Sequence, residues 1–186
     1  PVDLHLFALK KLGAKIKIKS GYIIAEAPRG LRGTKIIFPN ISVGATENAL
    51  LAAFYAKGET IIKNAAIEPE VKDLIKFLNR LGGKIRMSGR TIFVNRCKDI
   101  NTNLVHEIIF DRIELGTYMI AGALVGQKLI LNRVDPKIIK TEINILKKMG
   151  VKLKVKKTAI EISKSTTIKK INVSTKPYPG FPTDLQ

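Results

Sequence analysis

The chain has 186 residues, 45% of them hydrophobic, and a formal net charge of +18. That length and apolar content suffice to bury a core in one domain or two small ones, and no apolar run approaches the length that crosses a bilayer. A lone cysteine, Cys97, excludes an intrachain disulfide framework and fits a reducing, cytoplasmic setting. With only two separated histidines, His5 and His106, no metal-ligand spacing exists, and neither metal nor cofactor is expected.

In chain order, residues 6–12 read as the tail of an amphipathic helix closed by Gly13. Strands at 15–19 and 22–26 flank a Ser20-Gly21 turn, and a further strand covers 34–38. The loop Pro39-Asn-Ile-Ser-Val-Gly-Ala-Thr-Glu-Asn48 leads into an apolar helix at 49–56. A strand at 60–63 precedes Pro69, which opens a helix over 70–81; proline suits the first turn because its missing N–H would have no partner there. Strands at 84–88 and 91–95 form a hairpin, and the polar stretch 98–107 reads as a crossover between subdomains. A second run of the same elements spans 108–163, with an apolar helix at 118–125. Residues 168–173 read as one more strand before a tail rich in Pro and Gly.

Three segments repeat one pattern: Leu9-Lys-Lys-Leu-Gly-Ala-Lys-Ile16, Leu78-Asn-Arg-Leu-Gly-Gly-Lys-Ile85 and Leu146-Lys-Lys-Met-Gly-Val-Lys-Leu153. Their glycines fall at 13, 82 and 150, so one supersecondary unit recurs every 69 and then 68 residues. The fold class is α/β (α+β), with sheets packed on helices. The 49–56 and 118–125 helices are apolar nearly all round, which predicts burial on every side, helices at the centre and sheets outside.

The positive charge invites a nucleic-acid reading. Against it, 25 lysines outnumber 8 arginines, and Lys15, Lys17 and Lys19 alternate with isoleucines as a solvated strand face would. Arginine is the preferred base reader, and no aromatic residues interleave with these lysines to stack bases. Neither a nucleic-acid nor a membrane partner is expected.

Ser42-Val-Gly-Ala-Thr46 stands before the first apolar helix, where free amides and Gly44 suit either an anion or a plain N-cap, and the cap weighs more on local evidence. Pro177-Tyr-Pro-Gly-Phe-Pro-Thr-Asp184 is a stiff loop that makes Asp184 either a general base or a cap for a segment after Gln186. Asp111, Glu68 and Glu70 read as capping residues near helix starts. Asp3 and His5 are close enough to face a common ligand.

Together, Pro1-Val-Asp-Leu-His5, Ser42-Val-Gly-Ala-Thr-Glu-Asn48, Asn64-Ala-Ala-Ile-Glu-Pro-Glu70, Asp111-Arg-Ile-Glu-Leu-Gly-Thr117 and Pro179-Gly-Phe-Pro-Thr-Asp-Leu-Gln186 resemble the UDP-N-acetylglucosamine enolpyruvyl transferase family of bacterial cell-wall synthesis. The resemblance implies two lobes, each an inside-out α/β barrel with helices at the core. About two and a half repeats would be present, 1–109 completing the first lobe and 110–186 opening the second. It implies transfer of the enolpyruvyl group of phosphoenolpyruvate to the 3-hydroxyl of UDP-N-acetylglucosamine, with no cofactor. Asp184 would be the base and would also hold the sugar. Pro1, Val2, Asp3 and Leu4 would line the uracil and ribose site, and Asn40, Ile41, Ser42 and Val43 would meet the diphosphate end. The family's catalytic cysteine would lie upstream of Pro1, Cys97 does not match it, and the missing portions of the same enzyme become expected partners. The chain has no initiator Met and no signal-peptide pattern, so it reads as a processed chain or an excerpt. Asn40 stands where many members carry a basic residue, and Ile67 where an arginine is common. The alternatives are the sister enzyme acting on 3-phosphoshikimate and a basic nucleic-acid-binding module.

Overall fold

Strands and helices alternate along the chain, which divides into two units, Pro1–Glu107 and Ile108–Gln186. The computed structural model describes residues 1–186. The first unit contains α1 (Asp3–Lys11), β1 (Lys15–Lys19), β2 (Tyr22–Glu26), β3 (Lys35–Ile37), α2 (Val43–Tyr55), β4 (Glu59–Lys63), α3 (Pro69–Arg80), β5 (Lys84–Ser88) and β6 (Thr91–Asn95). The second contains α4 (Arg112–Leu124), β7 (Lys128–Asn132), α5 (Lys140–Lys148), β8 (Lys152–Val155), β9 (Ala159–Ser163) and a 3₁₀ turn at Thr183–Leu185.

The repeated glycines do one structural job. Gly13, Gly82 and Gly150 follow the last residues of α1, α3 and α5 with φ of 98°, 110° and 90°. This left-handed conformation favours glycine because it lacks a Cβ. In each case the next residue's amide reaches back to a carbonyl one turn up the helix: Ala14 to Leu9, Gly83 to Leu78 and Val151 to Leu146, at 2.9–3.0 Å. That bond satisfies a carbonyl the helix end would otherwise leave open and turns the chain into the next strand.

In the first unit, β3, β4, β6 and β5 form one sheet in that order, with β3–β4 parallel and the other pairs antiparallel. Alternation along the strands sends Ile36, Thr60, Ile62, Ile92, Val94 and Ile85 inward. There they meet Ala49, Leu50, Ala53 and Phe54 of α2. β1 and β2 form a separate two-stranded hairpin. In the second unit, β7, β9 and β8 form an antiparallel sheet, and its core joins Ile160 and Ile162 to Met119, Ile143 and Leu146.

Three expectations change. The apolar helices are not buried on every side: Leu51 and Tyr55 of α2 and Tyr118 and Leu124 of α4 are exposed, as is Val125, so each helix buries one face and presents an apolar stripe on the other. Both helices also start earlier, α2 at Val43 and α4 at Arg112, because Ser42 and Asp111 cap them. Residues 168–173 form no strand: the segment carries the β-branched residues Ile168, Ile171 and Val173 but has no strand beside it to pair with, and it is tied by a Lys169 amide bond to the Met149 carbonyl. No helix is long and apolar enough to cross a membrane.

Candidate functional site

At the start of α2, Ser42 is extended (φ −142°, ψ 124°) and its Oγ accepts the Ala45 amide at 3.3 Å. Its carbonyl accepts both the Thr46 amide at 3.1 Å and the Thr46 hydroxyl at 2.7 Å. The amides of Val43 and Gly44, the first two of the helix, have no carbonyl one turn earlier to bond. Gly44 is where α1 comes close: a Cβ there would sit 3.2 Å from Cε1 of His5. The His5 ring therefore lies over the glycine. Pro1, Val2 and Asp3 are exposed at the N-terminal end of α1, while Leu4 packs against the core. Asn40 is exposed, and Ile41, Ser42 and Val43 are half-buried. The fold thus brings His5 onto Gly44 by packing α1 on α2.

Behind this turn, Thr46 is fully buried and its Oγ1 also accepts the Ala66 amide at 3.0 Å. That ties the start of α2 to the segment carrying Glu68 and Glu70. Burial raises the pKa of Glu47, and the charges of Glu70 and then Glu68 add to the shift. Glu47, Glu68 and Glu70 thus gather beside the second turn of the helix, and the Arg90 guanidinium lies close by, donating to the Ala65 carbonyl at 3.1 Å. The roles of Thr46 and Glu47 escape sequence reasoning. The four-residue spacing of Ser42 and Thr46 is the available signal for the first.

In the second unit, Asp111 caps α4, accepting the Ile113 and Glu114 amides at 2.8 and 3.1 Å, as its capping reading requires. The loop 176–182 is pinned at several points. Thr141 Oγ1 donates to the Pro179 carbonyl at 2.6 Å, the Lys176 amide donates to the Phe181 carbonyl at 2.9 Å, and Arg112 lies 5.8 Å over the Tyr178 ring. Phe181 and Leu185 are buried, and Leu185 fills the space that Gly116 leaves open on α4. The result is a fixed turn with the Asp184 carboxylate exposed at its tip. Cys97 is buried, with its thiol 3.3 Å from the Asp99 carbonyl, a structural contact.

A model of the EPSP synthase (3-phosphoshikimate 1-carboxyvinyltransferase) family matches residues 1–186. The chain is 54% identical, over its whole length, to UDP-N-acetylglucosamine 1-carboxyvinyltransferase of Pelagibacter ubique (strain HTCC1062), covering 45% of that protein. It is 47% identical to the protein of the same name from Endomicrobium trichonymphae, covering 44% of it. The chain thus spans less than half the length of these relatives. Among solved structures, the enolpyruvyl transferase NikO from Streptomyces tendae superimposes on the whole chain with a TM-score of 0.84 at 20% identity, over 47% of its own length. EPSP synthase from Acinetobacter baumannii covers 92% of the chain, and 41% of itself, with a TM-score of 0.64 at 21% identity. At such identities the two structures establish the fold. By the match over its full length, the chain belongs to the EPSP synthase (3-phosphoshikimate 1-carboxyvinyltransferase) family.

Proposed function

We propose that this chain is the part of a UDP-N-acetylglucosamine 1-carboxyvinyltransferase that holds the sugar nucleotide and supplies one catalytic carboxylate. The observation that carries the reading is the 54% identity, over all 186 residues, to a relative bearing that name. The contact of His5 with Gly44 supports it, since it brings together the two segments that this reading assigns to the nucleotide. In this reading Pro1, Val2, Asp3 and Leu4 line the uracil and ribose. The Val43 and Gly44 amides meet the diphosphate at the helix N-terminus, with Asn40 donating hydrogen bonds where a cation would otherwise stand.

Residues 1–109 complete a first lobe and 110–186 begin a second, each an inside-out barrel. The apolar stripes on α2 and α4 favour this arrangement, because a helix-cored barrel covers such stripes with further helices. The Asp184 carboxylate takes the proton from the sugar 3-hydroxyl as its oxygen attacks C2 of phosphoenolpyruvate. An acid protonates the methylene carbon, giving a tetrahedral adduct. Loss of a proton from the resulting methyl group then expels phosphate, re-forming the C2–C3 double bond as the sugar's enol ether. Asp184 is suited to the first step because its turn is pinned while its carboxylate stays exposed.

Calorimetric titration of the chain with UDP-N-acetylglucosamine tests the binding half. Saturable binding that weakens in Asp3→Ala is expected, together with no phosphate release from phosphoenolpyruvate by the chain alone. A folded chain that ignores the sugar nucleotide yet binds RNA with steep salt dependence would replace this reading with the nucleic-acid one.

A further inference from the structure

The four-stranded sheet has a second face, turned away from α2. On it lies a depression of about 400 Å³ lined by Lys35, Ile61, Lys63, Ser88, Thr91 and Phe93. The strand register builds it: Lys35 stands beside Ile61, Ile61 beside Phe93, and Lys63 beside Thr91, which in turn pairs with Ser88. Two ammonium groups and two hydroxyls thus surround an apolar floor, and no carboxylate lines the depression. The carboxylate of this face, Glu59, is at the opposite end of β4 from Lys63.

The second unit contains the internal control. Its strands β7, β9 and β8 repeat β4, β6 and β5, and Glu161 takes the register position of Phe93. Glu161 is flanked by Ile130 and Lys154 as Phe93 is flanked by Ile61 and Arg86. Glu161 bonds Lys128 at 3.1 Å and lies 3.5 Å from Lys156, and Lys128 holds the register position of Glu59. In the first unit the acid is replaced by a ring, over which Arg86 is stacked at 4.7 Å. Lys63 stands where the second sheet has Asn132, and Lys35 lies on a strand that the second sheet lacks, so these two cations are particular to the first unit.

We infer that this depression binds a small organic phosphomonoester of mononucleotide size, its phosphate held by Lys35 and Lys63 with the Ser88 and Thr91 hydroxyls, and its planar body resting on Ile61 and Phe93. The volume falls in the range of small-molecule sites. Charge-assisted bonds to phosphate supply the stronger share of recognition, and the apolar floor separates an organic phosphate from the inorganic ion. The site is distinct from the sugar-nucleotide surface at the start of α2.

The test titrates the 186-residue chain with AMP, adenosine and inorganic phosphate while following backbone amides by NMR. AMP is expected to saturate, with shifts centred on Lys63, Thr91 and Phe93, and to bind more tightly than either adenosine or phosphate. Lys35→Gln and Lys63→Gln should each weaken AMP roughly tenfold. Phe93→Glu, which copies the sister sheet, should remove the site while the circular dichroism of the chain is kept. The inference is overturned if AMP produces no saturable shifts, if phosphate alone binds as tightly, or if the lysine variants leave AMP affinity unchanged. It is likewise overturned if the shifts centre on residues 40–44 and vanish in Ser42→Ala. Because AMP is the probe, these outcomes are separate from success or failure with UDP-N-acetylglucosamine.

Discussion

Thr46 makes three hydrogen-bonding connections from a fully buried position: its amide and its hydroxyl both donate to the Ser42 carbonyl, and its oxygen accepts from Ala66. Thr46→Val keeps the shape but leaves the Ala66 amide without its acceptor, which costs about 1–3 kcal/mol. Thr46→Ser keeps the acceptor and should lose less, and urea unfolding of the two variants distinguishes them. A larger loss in Thr46→Ser than in Thr46→Val would mean that the methyl group, and not the hydroxyl, is what matters at this position. The neighbouring Glu47 gives a pH dependence. Its carboxyl is raised above the ordinary 4.5, first by burial and then by Glu70 and Glu68. A group that holds its proton more tightly when folded contributes stability that is full below 4.5 and is lost as pH rises through the folded pKa. Glu47→Gln mimics the protonated form, so its stability relative to the parent should increase as pH rises from 4.5 toward neutrality. Parallel stability curves for the two proteins across that range would remove Glu47 as the cause.

The turn that carries Asp184 depends on one glycine in α4. A Cβ on Gly116 would overlap the Leu185 side chain, with Cδ2 at 3.1 Å and Cγ at 3.4 Å. Gly116→Ala gains about 1 kcal/mol of helix propensity but crowds Leu185 at a cost of about 1–3 kcal/mol. The expected result is near-neutral or reduced stability with faster hydrogen exchange at Leu185 and Gln186. Unchanged exchange there would show that Leu185 simply swings aside and that the turn is held by the Thr141–Pro179 bond. Much of this element-level organisation is legible in the sequence. The hairpin strands 84–88 and 91–95 agree with the structure to the residue, because the alternation of Lys84–Ser88 and the turn between Ser88 and Thr91 leave one register. The starts of α2 and α4 do not, since a capping side chain marks a boundary only once its bond to the backbone is seen. The strand expected at 168–173 fails for a different reason: β-branched residues measure a segment's fitness to pair, while a strand also needs a neighbour, and none lies beside it. At the candidate site, the segments proposed to hold the nucleotide are legible as motifs, but the His5–Gly44 contact that joins them depends on how α1 crosses α2, which no local pattern encodes.

At the scale of the molecule, internal repetition makes one edge of the first unit conspicuous. The hairpin β5–β6 is flanked by β4, and the hairpin β8–β9 by β7. The third copy of the hairpin, β1–β2, has no such neighbour, and Ile18, Tyr22, Ile23 and Ile24 are exposed on it. A two-stranded hairpin is marginal alone, and an open edge of this kind invites pairing with another chain. The repeat also says where the missing strand belongs. β5 begins 25 residues after β4 begins, and β8 begins 24 after β7. A flanking strand for β2 would by the same spacing start about ten residues before Pro1. The prediction is that a polypeptide extended upstream through the corresponding relative sequence slows hydrogen exchange at alternate amides of β2, those facing the new neighbour, and suppresses self-association of the chain. The 186-residue chain should exchange those same amides rapidly. Slow exchange without the extension would mean that the hairpin is stable by itself. Rapid exchange with it would mean that the first copy of the repeat does not follow the other two.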